Sequence, residues 1–294
     1  MSLANNFIAK VILKGLLQLI AGIVLLCLLT AFVPDHTAPG FWERFVSYLK
    51  IVFTFRFSES WLLPFSVFEL LSYHFKITFV ILTVSILFVI LFAVPAGVLA
   101  AKKQESALMA SVSALLHWLS SVPLLVWGVM LMFAWFSWFS IVPTYGNFED
   151  AGFTGKLFFL LPVVLALSFG DGTFSDVYNK VRSETASIME QPWMKAVKAR
   201  RSSETKHLVS RLTEPVFHVV SSKLVYLISG TIIVEFIFDW RGLGWLLWSL
   251  LTEEGAKDYP VLIAVYLVFL SIIVTVSVLR EIASFRLNPQ RRYS

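Results

Sequence analysis

Cysteine occurs once in the 294 residues, at Cys27 inside an apolar run. The chain therefore has no internal disulfide framework and no cysteine-based metal site. Glycine (14) and proline (11) are ordinary in number, and no tandem repeat or low-complexity tract is visible, which excludes collagen-like and disordered chains. Charge is scarce. Charged residues make up 15% of the chain, against about 25% in a soluble domain. No G-x-x-x-x-G-K-[ST] run is present, so the chain carries no phosphate-binding loop of that kind. The histidines (His36, His74, His117, His207 and His218) lack H-E-x-x-H or H-x-x-E-H spacing, and His117, beside Trp118, reads as a packed helix residue. Asp171 and Asp176 do not share a helical face, which argues against a shared metal, and no nucleophile–base pair is visible. The chain is expected to bind no cofactor of its own and to be no enzyme.

Apolar residues are abundant instead: 57% of the chain, with a mean hydropathy of +0.78. The composition describes an all-α integral membrane protein with six transmembrane helices, surrounded by membrane lipid. The first span covers Gly15–Val33, 19 residues, which at about 1.5 Å per residue matches a hydrocarbon core of about 30 Å. A signal peptide is the competing reading, but the run is long and no A-x-A-like site precedes Pro34. The remaining spans are placed near 77–101, 107–142, 157–169, 216–238 and 261–279, with Pro123 kinking the long third one.

Basic residues orient these spans. One side of the membrane carries Lys10, Lys14, Lys102, Lys103, Lys180, Arg182, Lys195, Lys198, Arg200, Arg201, Lys206, Arg211, Arg280, Arg286, Arg291 and Arg292, 16 of the 24. The other carries seven: Arg44, Lys50, Arg56, Lys76, Lys156, Arg241 and Lys257. Both termini are thereby expected in the cytoplasm. The pI of about 9.3 reports this topology, and nucleic-acid binding is a poor explanation for it.

The inner segment of about 180–214 is the most informative. From Lys180 to Arg211 it holds eight basic residues against Glu184, Glu190 and Glu204. Pro192 suits a first helical turn, and strong helix formers follow from Trp193 to Arg200. Lys195 and Lys198 share a face with Ser202, while Trp193, Ala196, Val197 and Arg200 lie on another. Two readings stand: a helix inserted into a groove of a partner protein, or a membrane-surface helix on anionic head groups.

Two motifs resemble those of binding-protein-dependent ABC importer permeases, in particular the dipeptide, oligopeptide and nickel group. EQPWMKAVKARRSSE resembles the family's coupling motif, a D-Y-V-x-T-A-x-A-K-G-like run. IIVEFIFDWRGLGWLLWSLLTEEGAKDYPVL resembles V-V-E-x-x-F-x-x-P-G-L-G followed by D-Y-P. PAGVLAAKK and HWLSSVPLLVWGVML resemble the family's second and third spans, so the likeness covers nearly the whole chain. The departures are local. The motif's aspartate falls on Pro192 and its glycine on Arg201; the proline after the loop falls near Val219, and that of P-G-L-G on Arg241. Without the glycine, the turn after the coupling helix is expected to be built differently.

The resemblance implies a type I ABC importer permease fold in the cell inner membrane. The implied divisions are a first helix and outer loop at 1–76, a permease core at 77–280 and a cytoplasmic tail at 281–294. The chain would form a pore for peptides or similar small polar solutes with a second, similar permease. Two cytoplasmic ATPase subunits holding ATP and Mg would bind below, and a substrate-binding protein would dock outside. Trp193, Met194, Lys195, Ala196, Lys198, Ala199 and Arg200 are the expected ATPase contact.

In the outer segment 239–260, Trp240, Arg241 and Trp245 read either as docking residues for the binding protein or as aromatic anchors at the membrane interface. Charges inside spans are few. Lys223 lies seven residues past Val216, about 10 Å deep, and either snorkels or lines the pore. Ser222 and Ser229 share its span, and Glu235 lies near the outer end as a structural or gating residue. An ion-coupled carrier or channel using Lys223 and Glu235 is the alternative function, although such carriers often show repeats; a non-transporting scaffold is a third.

Overall fold

The computed structural model describes residues 2–33, 40–54, 57, 65–103, 106–200, 203–252 and 258–287, with the backbone alone for residues 2–5, Lys198 and Leu287. Pro34, His36, Arg56, Arg201, Ser202, Glu253, Glu254, Lys257, Arg291 and Arg292 from the sequence reading lie outside the described residues, as does 288–294 of the tail.

Among the described residues, regular structure is helical. The order is α1 (Ser2–Ala31), α2 (Phe41–Thr54), α3 (Val67–Lys102), α4 (Ala107–Ser120), α5 (Leu124–Phe139), α6 (Tyr145–Glu149), α7 (Phe153–Phe169), α8 (Thr173–Glu190), α9 (Pro192–Ala199), α10 (Glu204–Ile237), α11 (Leu243–Thr252) and α12 (Tyr259–Leu287). Five stretches are long and apolar enough to cross a bilayer: Asn6–Ala31, Val67–Lys102, Phe153–Glu190, Glu204–Ile237 and Tyr259–Arg286. A sixth is present if the bent pair α4–α5 is one span. Helix is the only open-ended element that satisfies its own backbone groups in lipid, so an apolar chain of this length resolves into helices.

Packing divides the chain into two units, one of residues 1–78 and 241–282, the other of 79–240 and 283–294. In the first unit α12 returns to α1: Val278 lies against Gly15, Leu270 against Gly22, and Lys14 Nζ is 2.7 Å from Glu281 Oε1.

In the first unit, Cys27, Ala31, Tyr48, Val52, Tyr259 and Ile263 form the buried centre. Arg44 Nε donates to the Ala31 carbonyl at 3.1 Å, placing a cation on the open carbonyl end of α1. α3 begins ten residues before the expected span because a capping box starts it there. Ser66 Oγ accepts from Glu69 N–H at 3.3 Å, and a Glu69 carboxylate oxygen accepts from Ser66 N–H at 3.0 Å.

The second unit contains the remainder of α3 and α4–α10. The expected kink at Pro123 is a full break, with α4 and α5 at 102°. Proline removes an N–H and drives Val122 away from helical angles. Ser120 and Ser121 donate their hydroxyls to the His117 carbonyl at 2.7 and 3.1 Å, helping to close the end of α4. A second break joins α7 to α8, where Asp171 (φ 52°) and Gly172 (φ 73°) both take left-handed backbone. The polar stretch after Phe169 and much of the inner segment are thus helix. The 34 residues of α10 extend about 51 Å, well beyond a hydrocarbon core of about 30 Å.

Lipid tails are as apolar as leucine, so close approach and polar pairs, more than hydrophobicity, decide which helices meet. α3 meets α8 at Gly97, where a methyl group would lie 2.8 Å from the Tyr178 carbonyl oxygen and 3.0 Å from Val181 Cβ. Gly97→Val is therefore expected to lose about 1–3 kcal/mol, read as a lower melting temperature in detergent. Gly146→Ala, which meets nothing within 4 Å, should leave that temperature unchanged.

Candidate functional site

The second unit builds its most polar feature from α8, α9 and α10. α8 ends when Gln191 adopts extended backbone (φ −62°, ψ 139°). Pro192 then opens α9 with a preset φ. The Gln191 carbonyl accepts from the N–H groups of Met194 (3.0 Å) and Lys195 (3.3 Å). After α9, Ser203 caps α10 by accepting from Lys206 N–H at 3.4 Å.

α9 is held by a single deep anchor. Met194, grouped with the contact residues by its sequence position, is 1% exposed and sits in a cluster with Val181, Leu208 and Leu212. Its side chain holds the helix down and is not part of the presented surface. Val197 packs against the same cluster, whereas Trp193, Lys195, Ala196, Ala199 and Arg200 are exposed. The Arg211 guanidinium lies 5.5 Å from the centre of the Trp193 ring, a cation–π contact that ties α9 to α10.

Higher on α10, Lys223 neither snorkels to an end of the helix nor stands alone. Its ammonium pairs with the Asp176 carboxylate on α8 and lies 4.8 Å from the centre of the Tyr226 ring. Such a pair answers the cost of a charge at membrane depth, about 2.5–3.5 kcal/mol on the gentler insertion scale. Ser222 and Ser229 donate their hydroxyls back to the carbonyls of Val219 (2.7 Å) and Val225 (3.1 Å). Both oxygens therefore present acceptor lone pairs outward. Glu235, also placed among the pore or gate residues from sequence, is fully buried, and its backbone carbonyl accepts from Trp240 N–H at 2.8 Å.

A polar link between α4 and α8 was missed from sequence. Tyr178 Oη and Ser113 Oγ are 2.7 Å apart, and Arg182 Nη1 donates to Ser113 Oγ at 3.0 Å. In the sequence Arg182 reads only as a charge that orients the spans. A tyrosine in an otherwise apolar core position is the signal that its hydroxyl needs a partner.

The three outer docking candidates separate. Trp240 is fully buried in the second unit, where its indole N–H donates to the Pro143 carbonyl at 3.0 Å and its ring packs on Tyr145 and Phe148. It is a core residue, and its reading as a docking residue is corrected. Arg241 and Trp245 belong to the first unit. There the guanidinium lies 5.8 Å from the Trp245 ring centre, and His74 stacks on that ring at 6.1 Å. His74 Nδ1–H donates to the Arg241 carbonyl, and Leu243 N–H donates to Thr78 Oγ1 at 2.7 Å, fixing the turn. A cavity of about 540 Å³ is lined by Phe65, Tyr73, His74, Arg241 and Trp245. Among the described residues no group of three or more His, Cys, Asp or Glu side chains is placed to hold a metal.

Residues 93–293 match the model of the binding-protein-dependent transport system inner membrane component. The chain belongs to this family. Membership carries the all-α, type I permease fold expected from the motifs, and a place in the inner membrane. The chain is 23% identical over 279 residues to the dipeptide transport system permease protein DppB of Escherichia coli K12, covering 86% of this chain and 81% of that protein. It is 28% identical over 139 residues to the glutathione transport system permease protein GsiC of Salmonella typhimurium, covering 46% of this chain and 44% of that protein. The chain thus spans less than half the length of the glutathione permeases it matches.

The single deep anchor makes α9 sensitive to one side chain. Met194→Ala is expected to cost about 2–5 kcal/mol locally and to speed amide hydrogen exchange across 192–199 while leaving α10 beyond Val219 protected. Unchanged exchange over 192–199 would show that Met194 does not hold α9.

Proposed function

We propose that the chain is a permease subunit of an ATP-driven importer, forming a pore for small peptides or similar polar solutes with a second permease. Two ATPase subunits, which bind ATP and Mg, work on the α9 side, and a substrate-binding protein delivers solute from the opposite side. Both termini then lie in the cytoplasm, as the basic residues favour. The observation that carries this reading is a short helix with an exposed face, anchored through Met194 between two long helices, in a chain matched to the family over residues 93–293. The dipeptide and glutathione permeases among its relatives support small peptides as the solute class.

The mechanism needs no bond chemistry from this chain. ATP drives the ATPases between two conformations, and α9 passes that change to the permease if it binds the two differently. Trp193, Lys195, Ala196, Lys198, Ala199 and Arg200 supply the contact. α9 is joined to α8 through Gln191 and to α10 through Ser203 and the Arg211–Trp193 contact, so its displacement acts on both helices. Lys223, Ser222 and Ser229 line the path above it, and Glu235 holds the far end of α10. Arg241 and Trp245 supply the docking surface for the binding protein.

Ala196 is exposed on α9, so Ala196→Asp leaves the permease core intact but puts an unpaired carboxylate into the ATPase contact, at a cost of several kcal/mol. In proteoliposomes with all partner subunits, ATP-driven dipeptide uptake is expected to fall more than about tenfold, the effect of about 1.4 kcal/mol. The melting temperature of the permease should stay constant. Undiminished uptake would rule out α9 as the coupling element.

A further inference from the structure

Resting on that reading, we propose that the Asp176–Lys223 pair is a binding site for the two ends of a zwitterionic solute. Asp176 receives the solute's ammonium and Lys223 its carboxylate.

The pair is unevenly covered. The Lys223 side chain is 16% exposed and the Asp176 side chain 50%. A half-open carboxylate at membrane depth does not face hydrocarbon; it faces protein or water. Its neighbours agree. On α8, Asp176, Asn179 and Ser183 recur at i, i+3 and i+7, and all three are exposed. On α10, Tyr226 and Ser229 follow Lys223 at three-residue steps and are exposed as well. Two polar stripes on adjacent helices therefore meet at the ion pair. Tyr226 adds an aromatic ring, and Ser229 an acceptor oxygen.

Charge balance then selects the ligand. A solute with one charge would engage one partner and leave the other charge unpaired, which is strongly disfavoured in a poorly solvated place. A zwitterion brings one charge of each sign, so both protein charges stay paired as the Asp176–Lys223 contact opens. Lysine suits this exchange, because its ammonium rides on a flexible four-carbon stem and can swing from one carboxylate to another. The ends of an extended dipeptide are roughly 7 Å apart, a gap that the lysine stem can span. The inner site thus distinguishes peptides with free ends from blocked peptides.

The test uses the complete transporter in nanodiscs, with Cys27→Ser to remove the lone thiol and Asn179→Cys one turn from Asp176. The rate at which a charged methanethiosulfonate reagent modifies residue 179 is followed by mass spectrometry. Alanyl-alanine is expected to slow the reaction about tenfold when present at about ten times its dissociation constant. The same dipeptide with acetylated and amidated ends is expected not to slow it, and Lys223→Gln should abolish the protection. No modification at residue 179, equal protection by both peptides, or protection that survives Lys223→Gln would each overturn the proposal. Should Lys223→Gln fail to assemble, the comparison of the two peptides decides alone. Absence of ATP-driven dipeptide accumulation by the unsubstituted transporter would instead defeat the importer reading, a separate result from the labelling.

Discussion

The packing of α8 against α10 is the arrangement on which the rest of the second unit depends. α8 is a polar helix by composition, yet it follows an apolar helix directly and must stay beside other helices to be tolerated near lipid. It does so by burying Val177, Tyr178 and Val181 on one side and pairing Asp176 with Lys223 on another. Pairing of this kind lowers the cost of charge at membrane depth. The Asp176–Lys223 pair therefore stands where two otherwise unfavourable features, a lysine in a span and a polar helix after one, relieve each other. Removing one member would leave the other charged and uncompensated, a larger loss than removing both.

From that packing the position of α9 follows. The cluster that includes Tyr178 and Val181 continues through Leu208 and Leu212 to Met194. α9 thus docks on the same apolar seam that joins α8 to α10. The seam is continuous in contact, which gives a mechanical link from the exposed surface of α9 toward Lys223 without any long-range electrostatics. Tyr178 serves both sides of this arrangement: its ring fills the seam and its hydroxyl meets Ser113, so α4 is held to the same helix.

Much of this was legible in the sequence, for identifiable reasons. Hydrophobic length is a strong signal, and each expected span lies on a helix or a broken helix pair, although those at 15–33, 107–142 and 216–238 run past its end. Helix continuity across polar segments is a weak signal. α8 and the start of α10 carry many charges, so hydropathy read them as loop, although nothing in their residues breaks a helix except Pro215, which α10 absorbs. Pro123 was recognised as a disturbance, but one residue cannot reveal whether a helix bends or ends. The 102° break depends on what α5 packs against. The burial of Trp240 is not legible in the sequence, where a tryptophan near an aqueous boundary reads as a docking residue or an interface anchor. Only the structure shows the Pro143 carbonyl that makes its burial possible. Met194 is buried beside the exposed Trp193 and Lys195 because, in a helix of eight residues, adjacent side chains point to different environments.

The departures from the family's coupling motif acquire a physical meaning at Pro192. An aspartate at the head of a helix suits an exposed amide terminus by accepting hydrogen bonds from it. Proline has no side-chain acceptor for these amides, but it removes one of them and fixes φ for the first turn. The Gln191 carbonyl then accepts from Met194 and Lys195, so these two amides of the first turn are satisfied by backbone. Two different residues thereby solve the same geometric problem, one by supplying an acceptor and the other by deleting a donor. What changes is charge: the aspartate's negative end is gone, while Lys195 and Arg200 remain exposed. The surface of α9 is more cationic than a D-Y-V-x-T-A-x-A-K-G-like helix, and electrostatic complementarity sets partner specificity more than raw affinity. The proline at position 192 therefore leaves the helix in place and alters the charge of the surface that it presents.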